Sequence, residues 1–157
     1  MKTKASSRTF NLDALPGHFI RRMQQIAVAI FLEETEANAV TPVQYAALTA
    51  IAKAPGIDQR TMARTVGFDT STITGVIDRL ESRGLMQRDA SPDDRRVRLL
   101  TLTNAGRELL LSIQPAVMRA QTRMLEPLSK AERVEFMRML RVLVTANNDL
   151  SRAPGEI

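Results

Sequence analysis

Seven residues, Thr70, Ser71, Thr72, Thr74, Gly75, Asp78 and Arg79, recur at spacings that put them on one side of a helix. Their types suit close contact with the groove of a nucleic-acid duplex. Hydroxyls can bond to bases or phosphates, a glycine lets a backbone come near, and an arginine can grip guanine through two hydrogen bonds or hold a phosphate. Taken alone, the face also reads as solvated helix surface, because serine and threonine are common near helix starts. Downstream, Asp94 and Arg96 are spaced so that a carboxylate can brace a guanidinium at a hairpin tip and direct it into a minor groove, whose negative potential suits arginine. A solubilising hairpin tip is the plainer alternative. Arg60, Arg64, Arg88 and Arg98 are further candidates for phosphate.

A second group lies near the start of the chain. His18, Arg22 and Gln25 share one helix face with Arg21 beside them, and the opposite side is apolar. A small carboxylate could be held there, with Tyr45 completing the site from a second helix and Phe31, Leu48 or Val117 as apolar walls. A solvated or interface histidine is the alternative reading.

Other chemistry is excluded by what 157 residues contain. With no cysteine and one histidine, disulfides, thiol catalysis, and cysteine or multi-histidine metal sites drop out. There is no glycine-rich phosphate loop and no nucleophile elbow, so neither catalysis nor a cofactor is expected. Six aromatic residues, five Phe and Tyr45, are too few for a platform that stacks single strands. The net charge of +5 is weak support for nucleic acid, since Lys2, Lys4 and Arg8 supply three of the five. The apolar run 26–32 is too short for a bilayer span, and no signal-peptide core follows the basic start, so a cytoplasmic protein without membrane contact is expected, nucleoid-associated when bound to DNA.

The elements that must position these residues follow from periodicity and capping. Residues 1–14 read as a flexible basic arm. A helix with a wide apolar face runs from Leu15 to about Thr35, and Thr41-Pro42-Val43-Gln44 starts a second that ends near Pro55-Gly56. Asp58 can cap a short third helix over 59–66, and Asp69 or Thr70 a fourth reaching about Arg83 before Gly84. Only Gly67-Phe68-Asp69 separates the two, which predicts a helix-turn-helix; small Ala63 permits a close crossing and Gly67 a positive φ. Strands over 85–90 and 96–102 flank the turn Ser91-Pro92-Asp93-Asp94 as a two-stranded wing. Thr103 can cap a long helix that Pro115 should kink, and Ser129-Lys130-Ala131-Glu132 is a capping box for the last, beyond which 151–157 form a frayed tail.

The expected fold is therefore mainly α with a small two-stranded β-wing. A winged helix-turn-helix over 41–102 joins a helical dimerisation region made of 15–40 and 103–150. The first and last two helices carry more apolar surface than one small core can cover, so a second copy of the chain is the expected partner, and a monomeric bundle is the alternative.

Several motifs resemble the MarR family of bacterial transcription regulators over residues 15–150. They are Thr41-Pro42-Val43-Gln44-Tyr45-Ala46-Ala47-Leu48, the helix-turn-helix over 58–84 with Asp78-Arg79-Leu80-Glu81 and Gly84-Leu85, and Pro92-Asp93-Asp94-Arg95-Arg96 followed by Leu100-Thr101-Leu102-Thr103-Asn104-Ala105-Gly106. The opening Leu15-Pro16-Gly17-His18-Phe19-Ile20-Arg21-Arg22 is similar to regulators of nicotinate and related aromatic-acid catabolism. The resemblance implies a homodimeric repressor that binds inverted-repeat double-stranded DNA and releases it on binding a small anionic aromatic compound. It also supports the Asp94-x-Arg96 pairing and places Arg95 on phosphate. A winged helix used only for protein contact, or a DNA-binding protein without an effector, are the rival readings.

Overall fold

The computed structural model describes residues 11–151. After a 3-10 turn at Leu12–Ala14, the helices are α1 (Pro16–Glu34), α2 (Pro42–Lys53), α3 (Gln59–Thr65), α4 (Thr70–Ser82), α5 (Asn104–Met124) and α6 (Lys130–Ala146). The strands are β1 (Ile57–Asp58), β2 (Met86–Ala90) and β3 (Arg98–Leu102).

Helix starts fall where a side-chain oxygen can take up otherwise unpaired first-turn N–H groups. Thr41 and Gln44 form a reciprocal capping box on α2, and Ser129 and Glu132 another on α6. Asp58, Asp69 and Thr103 cap α3, α4 and α5. Helix α1 lacks a side-chain cap and begins instead on Pro16, whose missing N–H is one of the orphans in any case.

The main core lies inside the winged module. Leu48 and Ile51 from α2, Met62 from α3, Ile73, Ile77 and Leu80 from α4, and Met86 and Leu100 from the sheet are fully buried together. A smaller cluster of Phe31, Val40, Ile113 and Val117 holds α1 against α5, and Arg119 and Arg123 reach Glu34 across the same seam. Between them, the buried Thr35 hydroxyl donates to Phe31 O at 2.7 Å and closes the end of α1.

Gly106 fixes how α5 leaves the wing. The Thr103 hydroxyl donates to Gly84 O at 2.6 Å and accepts from the Gly106 N–H at 3.1 Å, while the Thr103 N–H donates to Leu85 O at 3.2 Å. A Cβ on Gly106 would stand 2.0 Å from Leu85 O. The paired motifs Gly84-Leu85 and Leu102-Thr103-x-x-Gly106 are thus the two halves of one clasp.

Three expectations change. The wing is the outer part of a three-stranded antiparallel sheet of order β1-β3-β2, because Ile57 and Asp58 pair with Leu100 and Leu99. A strand of two residues has no periodicity to read. The returning strand begins at Arg98, not residue 96, since Ser91 N–H donates to Val97 O and Val97 N–H to Asp94 O, which closes the wing tip as a turn. Pro115 lies exposed inside α5, with helix on both sides of it. Of the arm expected over 1–14, Leu12–Ala14 form a helical turn tied by Asn11 to Asp13 N–H, and residues 1–10 lie outside the described residues, as do 152–157 of the tail.

Helix α6 buries none of its residues. Val134 is 72% exposed, and Met139, Val142, Leu143 and Val144 are also solvent-facing. Among the described residues, no helix is long and apolar enough to cross a membrane.

Candidate nucleic-acid interface and ligand region

Helices α3 and α4 meet through the turn at Gly67, which takes φ +70° as the tight connection requires, and Ala63 is buried. Ile73, Val76, Ile77 and Leu80 turn into the core. The opposite side of α4 therefore carries Thr70, Ser71, Thr72, Thr74, Asp78 and Arg79 in solvent, with Gly75 half-buried between them. The Arg79 guanidinium lies along the helix near Gly75, 3.6 Å from where a Cβ there would stand.

This face is ordered from within. The Asp69 carboxylate accepts from the Ser71 hydroxyl at 2.5 Å, the Thr72 hydroxyl at 2.9 Å and the Thr72 N–H at 2.9 Å. Those bonds, the one from Ser71 first, hold its carboxyl down to about 2. The Thr74 hydroxyl donates to Thr70 O at 2.8 Å and accepts from the Gln59 amide at 2.9 Å. Gln59 escaped sequence reasoning because its spacing from Thr74 signals nothing until α3 and α4 are crossed.

The arginines of the winged module fall into two sets. Arg60, Arg64, Arg79, Arg95, Arg96 and Arg98 form no salt bridge or side-chain hydrogen bond among the described residues, and all are exposed. Arg88 is different: its guanidinium pairs with Asp78 at 2.9 Å and with Glu81, whose carboxyl is held below the usual range by that hydrogen bond. Arg88 therefore ties β2 to α4 and is unavailable to phosphate without breaking two ion pairs, and Asp78 faces Arg88 as well as solvent. Arg83 is also held inside the fold, donating to the carbonyls of Ala39 and Asn38 at 2.7 and 3.1 Å. The brace expected between Asp94 and Arg96 takes another form. Asp94 Oδ1 accepts from the Arg96 backbone N–H at 2.9 Å, a turn bond that shapes the wing tip and leaves the guanidinium projecting freely.

The five residues expected to hold a ligand are not gathered within one chain. Tyr45 packs on Phe31, ring centres 5.9 Å apart, beside Ile113 and Val117, whereas Leu48 belongs to the winged core. His18 is thirteen residues from Phe31 on the same helix, roughly 20 Å along its axis, several times the breadth of an aromatic ring. Sequence spacing could not reveal this, because it fixes positions along α1 but not where α2 crosses it. Half-buried His18 meets the Phe19 ring edge-on at 5.8 Å, and Arg21, Arg22 and Gln25 are exposed. Arg22 lines an apolar groove of about 720 Å³ with Phe19, Met23, Ile26, Met124, Phe136 and Leu140.

A three-helix core, a hydroxyl-rich helix after a tight turn and an arginine-tipped wing define a winged helix-turn-helix protein. The chain belongs to the MarR family of transcription regulators, whose model matches residues 40–97. It is 37% identical over 134 residues to a Thauera aromatica protein assigned provisionally to regulation of the hcr operon, covering 85% of this chain and 81% of that one. Among solved structures, it is 30% identical to Bordetella bronchiseptica BpsR, described for the regulation of its DNA binding by 6-hydroxynicotinic acid, with a TM-score of 0.81 over 85% of this chain and 96% of the other. It is equally 30% identical to the transcriptional repressor CouR bound to a 23-mer DNA duplex, with a TM-score of 0.80 over 89% and 99%. The chain is accordingly a transcription regulator and not an enzyme.

Proposed function

We propose that two copies of this chain form a repressor that binds an inverted-repeat duplex, with α4 in the major groove and the wing tip in the adjacent minor groove. The observation that carries this reading is the partition of the arginines. Arg60, Arg64, Arg79, Arg95, Arg96 and Arg98 are unpaired among the described residues and exposed, while Arg83 and Arg88 beside them are held internally. Free cations on the helix-turn-helix and the wing tip are what phosphate binding requires. The dimer is supported by α6, whose apolar residues stay exposed in a single chain. A two-fold arrangement presents two α4 helices to half-sites one turn, roughly 34–36 Å, apart.

Fluorescence anisotropy on single substitutions tests the DNA-facing roles. Arg96→Ala is expected to cost more affinity than Arg95→Ala, because a guanidinium in a narrow groove gains more than one on a phosphate. Arg79→Ala should weaken binding and flatten the preference between sequences. Equal, trivial losses for Arg95 and Arg96 would remove the minor-groove role.

The effector reading is a small aromatic carboxylate, its ring on the apolar groove wall and its charge on Arg22, with His18 and Arg21 nearby. The 6-hydroxynicotinic acid of BpsR supports that ligand class. Tyr45 stands too far along α1 to share such a ligand with His18 in the same chain. A ligand that favours a wrongly spaced pair of α4 helices must itself be weakened by DNA to the same factor, ordinarily about 5- to 150-fold. Calorimetry with benzoates, salicylates, hydroxynicotinates and hydroxycinnamates should find one that binds the intact chain, lowers its DNA affinity and is lost in Arg22→Ala. Unchanged binding to both His18→Ala and Arg22→Ala would overturn the site. Binding with no effect on DNA would overturn the switch.

A further inference from the structure

We infer that Asp69 sets the hydrogen-bond polarity of the α4 face, so that Ser71 and Thr72 read DNA by accepting hydrogen bonds from the amino groups of adenine or cytosine and not by donating to guanine, thymine or phosphate. This rests on the reading of α4 as the DNA-facing helix and asks what that helix can recognise.

The argument is one of proton inventory. A hydroxyl has one hydrogen to donate and two lone pairs that accept, and a carboxylate can only accept. At 2.5 and 2.9 Å from Asp69, the hydroxyls of Ser71 and Thr72 must therefore direct their hydrogens at its two oxygens. Thr74 likewise has its hydrogen on Thr70 O. Three neighbouring hydroxyls thus have their hydrogens turned inward, and what Ser71 and Thr72 have left to offer is lone pairs. In the major groove, the groups that donate to lone pairs are adenine N6–H and cytosine N4–H. Guanine O6 and N7, adenine N7 and thymine O4 are acceptors, as is every phosphate oxygen. Meeting an acceptor requires a hydroxyl to rotate away from an ionised carboxylate and give up one of the stronger classes of hydrogen bond. With its carboxyl held down to about 2, Asp69 imposes this orientation throughout the physiological pH range. Phosphate binding is left to the free arginines.

Asp69→Asn tests this without removing the cap, since asparagine caps a helix as well as aspartate does. Its amide keeps one acceptor and replaces the other with a donor, so one hydroxyl must turn round and release its hydrogen outward. The probe is a randomised 24-base-pair duplex library, selected in parallel by the intact chain, Ser71→Ala, Thr72→Ala and Asp69→Asn. At the positions whose preference moves in either alanine variant, the selected adenine is then replaced by purine, or cytosine by 2-pyrimidinone, to delete the amino group, and purines by their 7-deaza forms to delete an acceptor. For the intact chain, amino deletion should cost about fivefold in affinity, the worth of one hydrogen bond, and 7-deaza substitution less than about twofold. In Asp69→Asn, sensitivity to 7-deaza substitution should appear at one of those positions. Greater sensitivity to 7-deaza bases in the intact chain, or identical patterns for Asp69→Asn and the intact chain, would overturn the inference while leaving α4 on the DNA. If neither alanine variant shifts preference at any position, the reading of α4 as the recognition helix fails instead.

Discussion

Replacing Gly106 by alanine is expected to lower stability by about 3 kcal/mol or more, at the upper end of overpacking effects. The added Cβ would meet Leu85 O at 2.0 Å, and that oxygen cannot swing aside as a side-chain tip would. It is a backbone carbonyl already accepting from Thr103 N–H, at the point where α4, the sheet and α5 converge. Relief requires α5 to withdraw, which loosens Thr103 from Gly84 O and opens the buried Leu85 and Leu102. For a chain of this length the loss corresponds to a fall in Tm of roughly 10 °C. Gly75→Ala is the control, because a Cβ there meets only the flexible end of Arg79 at 3.6 Å. That substitution should leave Tm unchanged or raise it, alanine being up to about 1 kcal/mol better than glycine inside a helix. Thermal unfolding followed by circular dichroism separates the two, and a Gly106→Ala protein as stable as the parent would contradict the clasp.

Deleting residues 129–157 is expected to leave a folded chain that no longer dimerises. Helix α6 contributes no buried residue to the single chain, so its removal withdraws nothing from either core cluster. What it withdraws is apolar surface, including Val134, Met139, Val142 and Leu143, that is exposed among the described residues and that the proposed dimer would cover. Light scattering should give one chain for the deletion and two for the intact protein at micromolar concentration. Affinity for an inverted repeat should fall by on the order of 10³-fold, towards the level of nonspecific binding. A compact monomer from the intact protein would contradict the expected assembly.

Local chemistry made most of the winged module legible in the sequence. Thr41, Asp58, Asp69, Thr103 and Ser129 announce helix starts because capping depends on two or three neighbouring residues, and each cap forms. Gly67 announces the tight turn for the same reason. The exposed set on α4 follows from helical period alone once Ile73, Val76, Ile77 and Leu80 are assigned to the core. What stayed illegible depends on distant parts of the chain meeting. Strand β1 exists because β3 offers Leu99 and Leu100 as partners, not because Ile57 and Asp58 prefer extension. The fate of Arg88 is decided by where α4 places Asp78 and Glu81, and the separation of Tyr45 from His18 by where α2 crosses α1. The bond between Asp94 and the Arg96 backbone shows a finer limit: the sequence brings the two residues together, but the turn decides that the main chain and not the guanidinium is the partner.

The most direct measurement is an equilibrium titration of the intact protein against three duplexes of equal length, namely the inverted repeat recovered by selection, one half-site, and a scrambled sequence, at 50 and 200 mM salt. Two chains per inverted repeat are predicted, with weaker binding to the half-site and weaker still to the scramble. Raising the salt should cost about 10³- to 10⁵-fold, the signature of 6–10 phosphate contacts. One chain per duplex with equal affinity for all three sequences, or no binding even at the lower salt, would contradict a dimeric regulator that reads DNA through α4 and the wing.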